Sequence, residues 1–102
     1  MKKKYDAALV QMDSGKSKDK NLEKAVAAIE EAAKHGADLI CFPELMNGEA
    51  SGGKQTEMAE DLDGKTISIL REKAKEHKVY IHTGSMHERI EGENRCYNTS
   101  ML

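Results

Sequence analysis

The sequence predicts an α/β fold, and three observations carry that expectation. The runs Ala7-Ala8-Leu9-Val10 and Leu39-Ile40-Cys41-Phe42 are continuously apolar rather than alternating, as strands of a parallel sheet are. Between them Leu22, Val26, Ile29 and Ala33 recur at helical spacing. The second run is then stopped by Pro43, which fixes its own φ and pushes Phe42 into the extended region, so that Glu44 stands at the mouth of a strand. Open α/β sheets keep their chemistry at that end of a strand.

The first strand is expected over Tyr5–Met12, buried on both faces. The segment from Asp13 to Asp19 is polar and turn-rich, and Asp19 or Asn21 offers an N-cap for the helix that follows. Glu30 lies one turn before Lys34, and Lys34-His35 suits the C-terminal dipole. Gly36 is a natural position for the left-handed residue that ends a helix. With Asp38–Phe42 as the second strand, the first 42 residues read as a βαβ unit.

From Leu45 to Gly64 periodicity is lost and glycines collect among charges, which predicts a long loop with at most one helical turn. A helix resumes over Thr66–Lys78 with Ile67, Leu70 and Ala74 inward. Val79–Thr83 returns as a strand and implies a second βαβ crossover. Gly84-Ser85 bends that strand, Met86–Ile90 continues it, and Glu91-Gly92-Glu93-Asn94 turns it into a hairpin partner running from Arg95 to the final residue, Leu102.

Composition bounds the rest. The chain has 102 residues, enough for one small domain, and 38% of them are hydrophobic, with few aromatics to fill a core. A net charge of −2, from 16 basic and 18 acidic side chains, gives nucleic acid or anionic lipid no strong attraction. Lys2-Lys3-Lys4 precedes no signal-like apolar region, and no stretch is long enough to span a bilayer, so a soluble protein is expected. Cys41 and Cys96 have no metal-like or paired spacing, which fits reduced thiols in a cytoplasm.

Four candidate sites stand out. The segment from Gly48 to Gln55 nearly matches G-x-x-x-x-G-K-[ST], but Gln55 lacks the hydroxyl that would hold Mg²⁺ and Glu49 opposes a phosphate, so a plain loop is the better reading. His77, His82 and His87 sit on a helix end, a strand and a position of opposite parity, and are expected to diverge as helix-end and sheet-surface histidines; no metal and no cofactor are expected. Cys41, between Ile40 and Phe42, reads as a core cysteine rather than a nucleophile. Glu44 is flanked by Phe42, Leu45 and Met46, and desolvation by them would suit a general acid or base, against the alternative of a solvated loop carboxylate.

A wider resemblance then bears on Glu44. Ala8-Leu9-Val10-Gln11-Met12, Asn21-Leu22, Gly36-Ala37-Asp38-Leu39-Ile40, Phe42-Pro43-Glu44, Gly84-Ser85, Glu88 and Tyr97-Asn98-Thr99 resemble, in order and over essentially the whole chain, the N-terminal portion of the nitrilase superfamily of carbon–nitrogen hydrolases. The resemblance implies part of an α-β-β-α sandwich whose sheet is incomplete here, with residues 1–102 as one N-terminal portion of the domain. It implies a Glu-Lys-Cys mechanism on a small amide, nitrile or carbamoyl compound, with Glu44 as the base by match to the family's F-P-E segment. The family's lysine and cysteine motifs fall beyond its Tyr-Asn-Thr strand. Neither Cys41 nor Cys96 matches the nucleophile and no lysine here matches the family's, so this chain alone is expected to be inactive. A homo-oligomer is expected. Two other readings remain: a non-catalytic module that pairs its open sheet with another chain, and an unrelated nucleotide-binding domain resting on the loop at Gly48.

Overall fold

The computed structural model describes residues 4–48 and 55–102. The opening apolar run forms strand β1, Ala7–Leu9, and helix α1 follows over Lys18–Lys34. Ser17 caps that helix, its side chain accepting the Lys20 N–H at 3.3 Å, so the helix begins before the expected caps Asp19 and Asn21. Any of several polar residues in this stretch could have capped. Ser17 does so because the stripe that packs starts at Asn21, and a first turn must precede it.

The buried stripe of α1 is Asn21, Leu22, Ala25 and Ile29, rather than Leu22, Val26, Ile29 and Ala33. Ala25 has no exposed surface, and its small side chain lets the helix lie close on the sheet. Strand β2, Leu39–Cys41, pairs in parallel with β1, and strand β3, Tyr80–His82, pairs in parallel with β2 on the other side. The connection from β2 to β3 carries a short helix α2, Gln55–Met58, and helix α3, Lys65–His77. Both expected strand–helix–strand units are therefore present in a three-stranded sheet of order β1-β2-β3.

One face of that sheet carries the core. Ile40 and Ile81 point toward the helices, where they meet Ala25, Ile29, Phe42, Met46 and Leu70, with Ala74 packed at the margin. Each isoleucine so buried contributes about 1.5–3 kcal/mol. The other face is open: Leu9 is 82% exposed and Tyr80 66%. Double burial of the first strand is thus corrected. The run is apolar on both faces, but Ala7 and Leu9 share the open side, which no described residue covers as a helix layer does the other.

Strand alternation also corrects the reading of Cys41. Its neighbours Ile40 and Phe42 turn into the core, so Cys41 faces the open side, half-buried beside Tyr80 and His82. The continuous strand expected across Gly84-Ser85 is two strands in two sheets. Strand β4, Met86–Arg89, pairs antiparallel with strand β5, Cys96–Thr99, in a hairpin of its own. The hairpin partner ends at Thr99, and the tail beyond it turns to tie Met101 to Thr83: the Thr83 N–H donates to the Met101 carbonyl, and the Met101 N–H to Thr83 Oγ1, both at 2.9 Å.

Candidate functional site

Glu44 lies just past the C-terminal end of β2, the middle strand, in a turn over residues 44–47. Phe42 and Met46 are buried in the core, and the carboxylate between them in sequence is exposed. Desolvation by apolar neighbours therefore does not occur within the described residues. The sequence places those neighbours beside Glu44, but the turn sends them inward and the acid outward.

What fixes the turn is the Gly84-Ser85 segment. Ser85 Oγ accepts the Leu45 N–H at 2.9 Å, the Ser85 carbonyl accepts the Met46 N–H at 3.1 Å, and the Ser85 N–H reaches the Pro43 carbonyl at 3.4 Å. Gly84 makes the approach possible. Its φ is +71°, and a Cβ there would fall 1.9 Å from the Pro43 carbonyl oxygen and 2.5 Å from that of Phe42. Leu45 itself sits at φ 51°, a left-handed conformation that a leucine holds only where its surroundings impose it.

Further ties converge from other elements. Ser14 Oγ donates to the Met46 carbonyl at 3.3 Å, and Asn21 Nδ2 on α1 donates to the Asn47 carbonyl at 3.1 Å. From β5, Asn98 Nδ2 donates a long hydrogen bond, 3.4 Å, to Glu44 Oε1. Across the same hairpin Thr99 Oγ1 donates to Glu88 Oε1 at 2.7 Å, so Glu88 is engaged within the sheet.

Next to the turn lies a second carboxylate. Glu60 accepts hydrogen bonds from the Thr66 N–H and from Asn47 Nδ2, each at 3.0 Å, and from Thr66 Oγ1, with Lys18 Nζ at 3.5 Å. Burial pushes its carboxyl pKa up. The Thr66 hydrogen bonds, the Lys18 charge and the Asn47 amide more than offset this, so the net value lies below the usual glutamate range. Glu60 also supplies the acceptor that the N-cap of α3, Gly64, has no side chain to give.

The other candidates are dispersed. His82 Nδ1 accepts the Gly84 N–H at 3.1 Å, and its Nε2 lies 3.1 Å from Ser100 Oγ, whose own hydrogen goes to the Gly84 carbonyl. That arrangement assigns the imidazole proton to Nε2. His87 is buried rather than on the sheet surface, with Nδ1 3.4 Å from Cys96 Sγ. His77 lies at the end of α3 beside Glu76. Among the described residues no group of three His, Cys, Asp or Glu side chains could hold a metal. Most of the phosphate-loop near-match, residues 49–54, lies outside the described residues.

The sequence points to Glu44 as a candidate but not to the residues that hold its turn. Gly84-Ser85 is legible only as a bend, and nothing in the spacing of Asn47, Glu60 and Thr66 signals that they meet.

Comparison with known proteins supplies the context. The family model described as carbon-nitrogen hydrolase matches residues 6–102. The chain is 34% identical over 100 residues to nitrilase homolog 2 of Dictyostelium discoideum, covering 98% of this chain and 30% of that protein. It is 35% identical over 95 residues to the omega-amidase NIT2 of Mus musculus, covering 93% of this chain and 34% of that protein. The chain thus spans about a third of the length of the curated relatives it matches. In structure it is similar to Saccharomyces cerevisiae Nit3, a member of branch 10 of the nitrilase superfamily, with a TM-score of 0.78 at 28% identity over 92% of this chain and 37% of that one. The C. elegans NitFhit protein shares the fold, with a TM-score of 0.84 at 23% identity over 94% of this chain and 24% of that one.

Proposed function

The chain belongs to the carbon–nitrogen hydrolase family of the nitrilase superfamily, and from that premise we propose that residues 1–102 are the N-terminal portion of a hydrolase domain in which Glu44 is the general base. One observation carries the assignment. Glu44 is an exposed carboxylate at the end of the central parallel strand, on a turn clamped from several elements, with an amide donor from β5 at one oxygen. A base must be solvent- or substrate-accessible and yet held in direction, and this one is both.

In the proposed reaction Glu44 takes the proton of a cysteine thiol supplied from outside residues 1–102, and the resulting thiolate attacks the carbon of a small amide, nitrile or carbamoyl compound. A lysine ammonium, also from outside these residues, stabilises the charge that develops on the attacked group. For an amide, Glu44 then passes the proton to the departing nitrogen, which leaves as ammonia or an amine. It next takes a proton from the water that cleaves the thioester and frees the thiol. The naming of several relatives as omega-amidases supports amides as the substrate class. On this reading the 102-residue polypeptide alone has no turnover, because an isolated carboxylate offers no covalent route. Free Cys41 and Cys96 agree with a cytoplasmic setting, and homo-oligomerisation is part of the same proposal.

The test is a chimera in which this chain replaces the matching segment of the mouse omega-amidase. It should release ammonia from that enzyme's amide substrate, and Glu44→Gln should reduce the rate by at least about 100-fold. A folded chimera whose turnover survives Glu44→Gln sinks the assignment.

The exposed apolar side chains on the open sheet face favour a second reading, a non-catalytic module that pairs this sheet with another chain. Sedimentation as a monomer at high concentration would count against it.

A further inference from the structure

We propose that Glu60 is a positioning residue for Glu44, anchoring through Asn47 the turn that aims the carboxylate, and through its own backbone the hairpin that supplies Asn98. Its side chain is only 10% exposed, and its hydrogen-bond partners converge on the elements that carry the site. Asn47, itself 1% exposed, closes the turn begun at Glu44 and gives its side-chain amide to Glu60 Oε2. On the backbone side, the Glu60 N–H donates to the His87 carbonyl at 3.0 Å and the Glu60 carbonyl accepts the Arg89 N–H at 2.9 Å. Those bonds grip β4, whose partner β5 presents Asn98 to Glu44. One residue therefore holds both the turn under the base and the strand that contacts its oxygen.

A nearly buried carboxylate is a poor choice for stability alone, since apolar packing of the same volume can serve as well. What the carboxylate adds is direction. Its lone pairs fix Asn47 against Thr66 and Lys18, and an apolar side chain would let the turn slide on the core. A shift of about 1 Å in a reacting group can cost about 100-fold in rate, so an anchor of this kind matters to a base and not to a bare loop. The purpose assigned to the anchor rests on the reading of Glu44 as the base; the anchorage itself does not.

The experiment is amide hydrogen exchange by NMR on the 102-residue protein. Leu45 and Met46, both bonded to Ser85, report on the turn; Val10 and Phe42, bonded to Cys41 and His82, report on the sheet. In Glu60→Leu, exchange at Leu45 and Met46 should accelerate at least about tenfold more than at Val10 and Phe42, and the Asn98 side-chain amide signals should move. Lys18→Met removes the ammonium 3.5 Å from Glu60 but leaves the ties to Asn47 and Thr66, and should accelerate Leu45 and Met46 no more than Val10 and Phe42. Equal acceleration of all four in Glu60→Leu, unchanged Leu45 and Met46, or the same selective pattern in Lys18→Met overturns the proposal. If Glu60→Leu does not fold, Asn47→Ala cuts the same tie while Glu60 keeps Thr66 and Lys18, and the same outcomes decide. In the chimera, selective exchange in Glu60→Leu with unchanged kcat would overturn the positioning role and leave the anchorage standing, while the role of Glu44 as base is decided separately by Glu44→Gln.

Discussion

Gly84→Ala is the sharpest single perturbation of the turn that carries Glu44. An alanine held at φ +71° costs about 1–2 kcal/mol for the left-handed conformation alone. Its Cβ would also lie 1.9 Å from the Pro43 carbonyl oxygen, a backbone atom that no side-chain rotation can clear. Relief requires moving the Gly84-Ser85 segment away from Pro43, which surrenders the bonds from Leu45 and Met46 to Ser85, at about 1 kcal/mol each. The expected loss is about 3–4 kcal/mol, against about 5–15 kcal/mol for the stability of a domain this size. Gly92→Ala is the control, because it shares the left-handed φ, +75°, and meets nothing within 4 Å. It should cost only the conformational part, about 1–2 kcal/mol. Urea unfolding followed by far-ultraviolet circular dichroism reads both. Losses for the two variants that agree within about 0.5 kcal/mol would refute the close approach of Gly84 to Pro43 as the reason for glycine there.

Two further outcomes follow from hydrogen bonds at helix starts. Ser17→Ala removes the acceptor of the Lys20 N–H and should destabilise by about 1 kcal/mol in the same urea assay; no change would mean that another residue caps α1. Glu60 has a folded-state pKa depressed below its ordinary value of 4.5, so the stability it contributes is fully present above about pH 5 and is lost as pH falls through the folded value. The advantage of the wild type over Glu60→Gln, measured by urea unfolding at pH 7, 5, 4 and 3, should therefore be constant at the upper end and shrink below about pH 4.5. A gap that does not narrow on acidification would show that Glu60 acts without its charge.

The parts of the fold legible in the sequence are those that local pattern determines. The apolar runs gave β1 and β2, the recurrence of Leu22 and Ile29 gave α1, and Ile67, Leu70 and Ala74 gave the inward face of α3. Pattern and structure part where an apolar face is left uncovered by the described residues or where geometry switches over a short span. Ala7 and Leu9 make β1 apolar on its open face as well, so continuity of the run does not report burial there. Cys41 took the character of neighbours that point the other way. Gly84-Ser85 reads as a bend in one strand, and only the pairing of β4 with β5 makes it a passage between sheets. The candidate site divides in the same way. Phe42-Pro43-Glu44 announces a strand-end carboxylate because proline acts locally, whereas Ser85, Asn47 and Glu60 reach it through contacts that no sequence period encodes.

The clamp on Glu44 also sets an order in time. Leu45 meets Ser85 across 40 positions of chain, and Asn98 meets Glu44 across 54. The first strand–helix–strand unit can close while the chain is still being made, since its contacts are nearer in sequence and loop closure is correspondingly cheaper. Glu44 would emerge early on such a nascent chain and stay unaimed until the hairpin has followed it out. The residue proposed as the base is thus among the first parts of the site to be synthesised and among the last to be placed.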